Sequence, residues 1–90
     1  MFVIEDEYHC EPQGRFASLS ELEIELTRRA SIPWDQEPNR APCQQWRTCG
    51  RNYELIEYDD SQVPWKELRR IGVLRITAAE VVWLSEVWKS

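Results

Sequence analysis

The sequence predicts a single α+β domain, residues 1–90, in which one main helix packs on a mostly antiparallel sheet of three or four strands. Three observations indicate this class of fold. A chain of 90 residues has room for one domain. Its apolar residues repeat clearly at helical spacing in one segment, residues 19–31, whereas the other apolar runs are short and strand-like. The elements follow the order β-α-loop-β-β-β, and a chain of this kind places its helix on one face of the sheet.

The first strand is predicted over residues 2–8. Ile4 and Tyr8 lie on one face because strand side chains alternate between faces, but Asp6 interrupts this apolar face. A proline, a glutamine and a glycine follow at residues 12–14, and we expect them to form a turn or to end the strand.

The helix is predicted over residues 19–31, where apolar side chains form a single stripe along one face. Ser18 and Ser20 are each followed three residues later by a glutamate, so either serine could cap the start of the helix. Glu25 and Arg29 stand four residues apart and are expected to form a supporting ion pair. A proline after the segment ends the helix, because the residue before a proline avoids helical backbone angles. The stripe consists of Leu19, Leu22, Leu26 and Ala30.

Residues 33–51 are predicted to form one long loop, since they contain three prolines, a glycine and no regular spacing of apolar residues. A loop of this length in a small domain is usually functional, stapled by a metal or disordered. Two tryptophans and two cysteines within it argue against disorder.

Two further strands are predicted over residues 53–58 and 71–76. Gly72 inside the second of them indicates a bulge or a close approach of backbone. Residues 64–68, between the two, are expected to form one helical turn or an irregular link. The C-terminal segment permits either a helix or a fourth strand over residues 81–84, and its two adjacent valines slightly favour the strand.

The charge balance and the first residues narrow the classes of function. With 11 basic and 16 acidic residues the chain carries a net charge of −5, which argues against binding to the phosphate backbone of nucleic acids. No apolar run approaches the ~18 residues of a membrane span, so no membrane partner is expected. The first residues form neither a basic region nor a long apolar stretch, and if Met1 is the native start we expect a cytoplasmic protein.

Catalytic motifs are absent from the sequence, and we therefore expect no enzymatic activity. The three glycines are too widely spaced for a phosphate-binding loop, and neither H-E-x-x-H nor G-x-S-x-G occurs. The leading hypothesis is a protein-interaction module that binds an unknown protein partner through the 33–51 loop. Tryptophan and arginine are enriched at the energetic centres of interfaces, and this loop carries both. The predicted contact residues are Trp34, Trp46, Arg47 and Arg51.

Two alternatives involve the cysteines. In the first, zinc staples the loop through four candidate ligands: Cys43, Cys49, Cys10 and His9. Against it, five residues separate the two loop cysteines, and the adjacent His9 and Cys10 would point to opposite faces of a strand. In the second, Cys49 is a redox or nucleophilic thiol whose pKa is lowered by two nearby arginines. Apart from zinc, no cofactor is expected.

Two other groups of residues have alternative interpretations. The first is a set of carboxylates that could hold a divalent cation: Glu54, Glu57, Asp59 and Asp60. They lack the alternating ligand pattern of a calcium loop, so a solvated strand edge explains them better. The second group is Trp83 and Trp88, expected in the core or in a seam between subunits. An exposed edge strand and the apolar C-terminal segment would also allow a homodimer.

Overall fold

The computed structural model describes residues 1–7, 11–40 and 50–85 of the chain. In these ranges one helix packs on a single antiparallel sheet of five strands, in the order β2-β1-β3-β4-β5. The predicted α+β class with one helix on an antiparallel sheet is therefore confirmed, whereas the predicted order and strand number miss one strand. The elements are β1 (Phe2–Asp6), β2 (Glu11–Phe16), α1 (Leu19–Ala30), β3 (Gly50–Asp59), β4 (Lys66–Thr77) and β5 (Val81–Trp83).

Strand β2 is the element that the sequence analysis missed. The turn expected at residues 12–14 is wrong, because these residues pair with β1 inside β2. Pro12 is tolerated there since β2 is an edge strand, whose outward backbone groups need no partner strand. Gly14 has a φ of 150°, which suits glycine, and the β1–β2 register shifts beside it, between Ile4 and Glu5. The first strand ends at Asp6 rather than at residue 8, which lies outside the described residues.

Helix α1 confirms the predicted helix to within one residue at its end. The Ser18 hydroxyl accepts a hydrogen bond of 3.2 Å from the backbone amide of Glu21, so Ser18 and not Ser20 caps the helix. Leu22 and Leu26 are completely buried against the sheet. Ile24, which lies off the apolar stripe, is 71% exposed on the outer side of the helix.

Strand β3 forms the centre of the sheet, and its first seven residues, 50–56, are all buried. It begins three residues before the predicted strand, so the loop is shorter than 33–51. The solvated edge expected for Glu54 and Glu57 is also wrong, because the central strand has a neighbour on each side. The core lies between α1 and one face of the sheet and contains Ile4, Leu22, Leu26, Tyr53, Leu55, Val73, Leu74 and Ile76.

Strands β4 and β5 complete the sheet. Strand β4 begins at Lys66, where a helical turn or an irregular link was expected, and extends beyond the predicted 71–76 at both ends. The bulge expected at Gly72 is confirmed, since the register places Val73 as an extra residue opposite the step from Tyr53 to Glu54. Residues 81–83 form strand β5 rather than part of a helix, and Trp83 packs half-buried against the core, whereas Trp88 lies outside the described residues.

Candidate functional site

The structure describes two of the four predicted contact residues. Trp34 is half-buried and packs against the hydrophobic core, so part of its ring fills the interior. Arg51 is 4% exposed and belongs to strand β3. Trp46 and Arg47 lie outside the described residues, as do the four candidate zinc ligands: His9, Cys10, Cys43 and Cys49.

Asn39 attaches the start of the predicted loop to the body of the protein. Its side chain is completely buried. The Nδ2 group donates to the backbone oxygens of Arg29 and Ile32 at 2.9 and 2.8 Å, near the end of α1. Its Oδ1 atom accepts a hydrogen bond of 2.8 Å from the Tyr53 hydroxyl. The Arg29 oxygen also accepts from the Ile32 amide at 3.1 Å, so Asn39 adds a second donor there and holds the departing chain against β3.

Arg29 lies beside Asn39 and Tyr53, and its contacts go beyond the supporting ion pair with Glu25 that their spacing predicted. Its Nε donates to Glu25 Oε2 at 2.6 Å, which confirms the pair. Its Nη2 also donates to the backbone oxygen of Gln13 at 3.0 Å, and the guanidinium lies over the Tyr53 ring at 5.1 Å from the centroid. The residue is only 5% exposed, so this arginine joins α1, β2 and β3 in the interior.

Arg51 and Asp6 form a second, neighbouring buried contact. Arg51 Nη1 donates to Asp6 Oδ2 at 3.0 Å, and the other carboxylate oxygen accepts from the backbone amide of Asn52 at 3.1 Å. Arg51 Nη2 donates to the backbone oxygen of Arg40 at 2.7 Å. The guanidinium is therefore engaged inside the chain, and Arg51 is not available as an exposed contact residue. Arg51 is also one of the two arginines that the thiol hypothesis invoked, and Cys49 itself lies outside the described residues.

The two contacts together define how the segment of residues 41–49 is attached. Arg51 and Tyr53 stand two residues apart and therefore on the same face of β3. They bind consecutive residues of the incoming chain, Arg40 and Asn39 respectively. Arg40, the last described residue before residues 41–49, is thus bound to the Arg51 side chain, and Gly50, the first described residue after them, directly precedes Arg51 in β3. The described residues on both sides therefore meet at one point on the central strand.

The sequence analysis did not identify this polar cluster, but one residue carried a signal. Asp6 interrupts an otherwise apolar strand face, and an acid in such a position is buried with a partner or exposed by a strand end. No comparable signal marks Asn39, because asparagine is common in exposed loops. Tyr53 reads as an ordinary strand residue, since its hydroxyl partner comes from a distant part of the chain.

The opposite face of the sheet carries a separate cluster of charges around Arg70. Glu5 and Glu54 are partners in the β1–β3 register, and Arg70 Nη1 lies 3.6 and 2.8 Å from their carboxylates. Glu67 accepts from Arg70 Nη2 at 2.8 Å, and this hydrogen bond is the main cause that raises the pKa of Arg70 above its ordinary value. Within residues 1–7, 11–40 and 50–85, no group of three or more acidic, cysteine or histidine residues could hold a metal ion.

Comparison with protein-family models, curated proteins and solved structures finds no match for this chain. In the part of the chain that the structure describes, the 12-residue helix falls short of the length and apolarity of a membrane span.

Proposed function

We propose that this protein is an interaction module whose recognition loop comprises residues 33–49. The observation that supports this function is the attachment of the loop: Asn39 and Arg40 are bound at its first half, and Gly50 follows its last residue on the same strand. The part of the loop that carries Trp46 and Arg47 thus lies between two held positions, Arg40 and Gly50. A segment held on both sides loses less conformational freedom when it binds, so more of its contact energy appears as affinity.

The residue types in the loop indicate the chemistry of the partner. Trp46 and Arg47 are the types that dominate binding energy in protein interfaces. Residues 38–49, the part of the loop that carries Arg40, Trp46 and Arg47, contain no aspartate or glutamate, whereas the two acids of the loop, Asp35 and Glu37, lie at its start. Arg40 is exposed within this stretch. The partner surface that fits these properties is an acidic one with an apolar slot for an indole ring.

The test is the loss of partner on substitution of the loop. Protein carrying Trp46→Ala and Arg47→Ala is compared with unchanged protein by cross-linking in the source cells, affinity purification and mass spectrometry. Ile24→Ala is the control, because Ile24 is 71% exposed on the outer side of α1 and does not belong to the loop. We expect one acidic protein to be recovered with the unchanged and control proteins and lost with the loop variant. Equal recovery from all three, or unfolding of the loop variant, contradicts the proposal.

A structural zinc site is the second candidate function, and one observation favours it. Asp6, at the end of β1, pairs with Glu11 of β2 and with Tyr53 of β3, and the Glu7 amide donates to Asn52 at 2.8 Å. The connection from β1 to β2, which contains His9 and Cys10, and the start of β3, which directly follows Cys49 in the chain, therefore belong to the same end of the sheet. A zinc ion bound there by three cysteines and a histidine would staple the recognition loop to the β1–β2 connection.

Zinc content and thermal stability test this second candidate. Protein purified under reducing conditions without chelator is analysed for metal by mass spectrometry, and its melting temperature is measured with and without a strong chelator. We expect one zinc per chain and a lower melting temperature after chelation. Cys43→Ser should abolish both effects. If the protein contains no metal and the chelator does not change its melting temperature, zinc is not a structural component.

A further inference from the structure

We propose that Asp6 and Arg51 are positioning residues of the recognition loop, which set how the loop is presented without themselves contacting the partner. The inference rests on the proposed interaction function and concerns its control. It replaces the role that the sequence predicted for Arg51, that of a surface contact.

The geometry of the guanidinium carries this inference. Arg51 uses its two terminal nitrogens for two different partners, Asp6 Oδ2 at 3.0 Å and the Arg40 backbone oxygen at 2.7 Å. The planar fork of an arginine suits this arrangement, since its donors are fixed relative to one another. A lysine ammonium at the same position has one nitrogen and a shorter reach, so it would serve one acceptor well and lose the other.

Asp6 fixes the orientation of that fork. Its two oxygens are occupied by different donors, the Arg51 guanidinium and the Asn52 backbone amide at 3.1 Å. Both side chains are at most 5% exposed, so solvent competes little with these bonds. Removing either partner leaves the other as a buried charge, which is far more costly than losing a surface ion pair. The Arg40 carbonyl is thus held by a side chain that cannot easily turn away.

Loss of the hydrogen bond between Arg51 and Arg40 should affect the loop locally. Without the Arg51 bond, the chain at Arg40 is still tied through the neighbouring Asn39, but the departure of the loop next to Gly50 is no longer fixed. A partner would then have to order the loop on binding, which weakens affinity without changing any contact residue. Substitution of Arg51 should therefore resemble substitution of Trp46 in its effect on binding while leaving the contact surface intact.

Residue-resolved amide hydrogen exchange tests the positioning role without any partner. The Arg40 amide donates to the Gln36 oxygen at 2.9 Å and reports on the start of the loop. The Tyr58 amide donates to the Met1 oxygen at 2.9 Å and reports on the far end of β3. The variants are Arg51→Met, Arg51→Lys and Asp6→Asn. The control is a substitution of Ile56, which is buried in the same strand. Ile56→Val or Ile56→Ala is used, whichever loses an overall stability closer to the loss in Arg51→Met.

We expect the Arg40 amide to exchange roughly tenfold faster in Arg51→Met than in the Ile56 control, as loss of a charge-assisted hydrogen bond opens this region locally. The Tyr58 amide should exchange at equal rates in both. Arg51→Lys should restore part of the protection, since one of the two bonds can re-form. Equal acceleration of both amides would mean that Arg51 contributes only to overall stability, and the inference would be wrong. If Arg51→Met does not fold, exchange of the Arg40 and Tyr58 amides is compared between the Ile56 control and the variants Arg51→Lys and Asp6→Asn.

Recovery of the partner with Arg51→Lys completes the test. We expect weaker recovery than with the Ile56 control, and undiminished recovery would contradict the positioning role. If the proposed interaction function is wrong, the result is different. The double substitution Trp46→Ala and Arg47→Ala would then leave recovery of the partner unchanged, whereas the Arg40 amide would still exchange faster in Arg51→Met than in the Ile56 control.

Discussion

The Tyr53 hydroxyl donates a hydrogen bond of 2.8 Å to Asn39 Oδ1, and both side chains are completely buried. The asparagine amide group is itself bound to two backbone oxygens at the end of α1. One phenol therefore connects the central strand to the helix and to the first residues of the recognition loop. A polar contact of this kind specifies a single arrangement, because any shift leaves buried groups without partners.

Substitution of Tyr53 by phenylalanine should destabilise the protein by about 1–3 kcal/mol, since Asn39 Oδ1 would remain buried without a donor. The measurement is urea unfolding followed by circular dichroism. Tyr58→Phe is the matched control, because the Tyr58 ring is half-buried beside Trp65 and its hydroxyl has no hydrogen bond to the described residues. Equal losses in the two variants would show that the Tyr53–Asn39 bond contributes nothing beyond packing.

The same tyrosine should make stability fall in alkaline solution. Burial raises the pKa of Tyr53 above its ordinary value, because the phenolate would lose its hydration, and the nearby Arg29 offsets this only in part. In the unfolded chain tyrosine ionises near pH 10. The stabilisation is therefore complete below about pH 10 and is lost as the pH rises through the higher pKa of the folded state.

This pH dependence is measured as the urea midpoint between about pH 8 and about pH 11. We expect the midpoint of the unchanged protein to fall more steeply than that of Tyr53→Phe, which has no group to ionise at this position. Other groups titrate in both proteins, so only the difference between the two slopes is assigned to Tyr53. Parallel slopes would contradict the raised pKa.

Removal of the Arg70 guanidinium should expose the repulsion between two neighbouring carboxylates. Glu5 and Glu54 face each other across β1 and β3, and Arg70 lies near both. Because the Arg70 side chain is 38% exposed, we expect Arg70→Met to cost only about 1 kcal/mol, and less at high salt. Adding Glu5→Gln to this variant should recover part of the loss, whereas Glu5→Gln alone should not stabilise the protein. A double variant as unstable as Arg70→Met would exclude carboxylate repulsion as the cause.

Gly50 and Gly72, the glycines of β3 and β4, should respond very differently to alanine. A Cβ atom at Gly50 would lie 2.0 Å from the backbone oxygen of Ile76, which cannot move without breaking the β3–β4 pairing. At Gly72 the nearest atom is Leu84 Cδ1 at 3.6 Å, an ordinary contact. We expect Gly50→Ala to lose more than about 3 kcal/mol and Gly72→Ala to lose less than about 1 kcal/mol in urea unfolding. Similar losses would mean that Gly50 does not need this close approach.

Some elements follow from neighbouring residues and were predicted well. Helix α1 has its cap, its apolar stripe and its stabilising Glu25–Arg29 pair within thirteen residues of sequence, and each of these depends on spacing along one element. The bulge at Gly72 was predicted for the same reason, since a glycine inside an apolar strand marks a local irregularity. Features of this kind can be predicted because the residues that produce them are close together in the sequence.

Other features depend on residues far apart in the chain. Residues 12–14 have the composition of a turn and form a strand only because the edge of β1 accepts them as a partner. The lengths of β3 and β4 come from their pairing with each other, which extends both strands beyond their apolar centres. Hydrogen bonds between strands add stability where local preference is weak, so strand boundaries are decided by the partner.

The candidate site shows the same division. Composition and spacing were enough to predict a helix on an antiparallel sheet, whereas the recognition loop and the lack of enzymatic activity stay predictions. They could not place Arg51 inside the protein beside Asp6, 45 positions away in sequence, or join Tyr53 to Asn39. The sequence does not distinguish an arginine in an exposed polar loop from an arginine at the start of a buried strand. The arginine can be buried only where a carboxylate and a carbonyl group accept its hydrogen bonds, and only the folded chain brings those groups together.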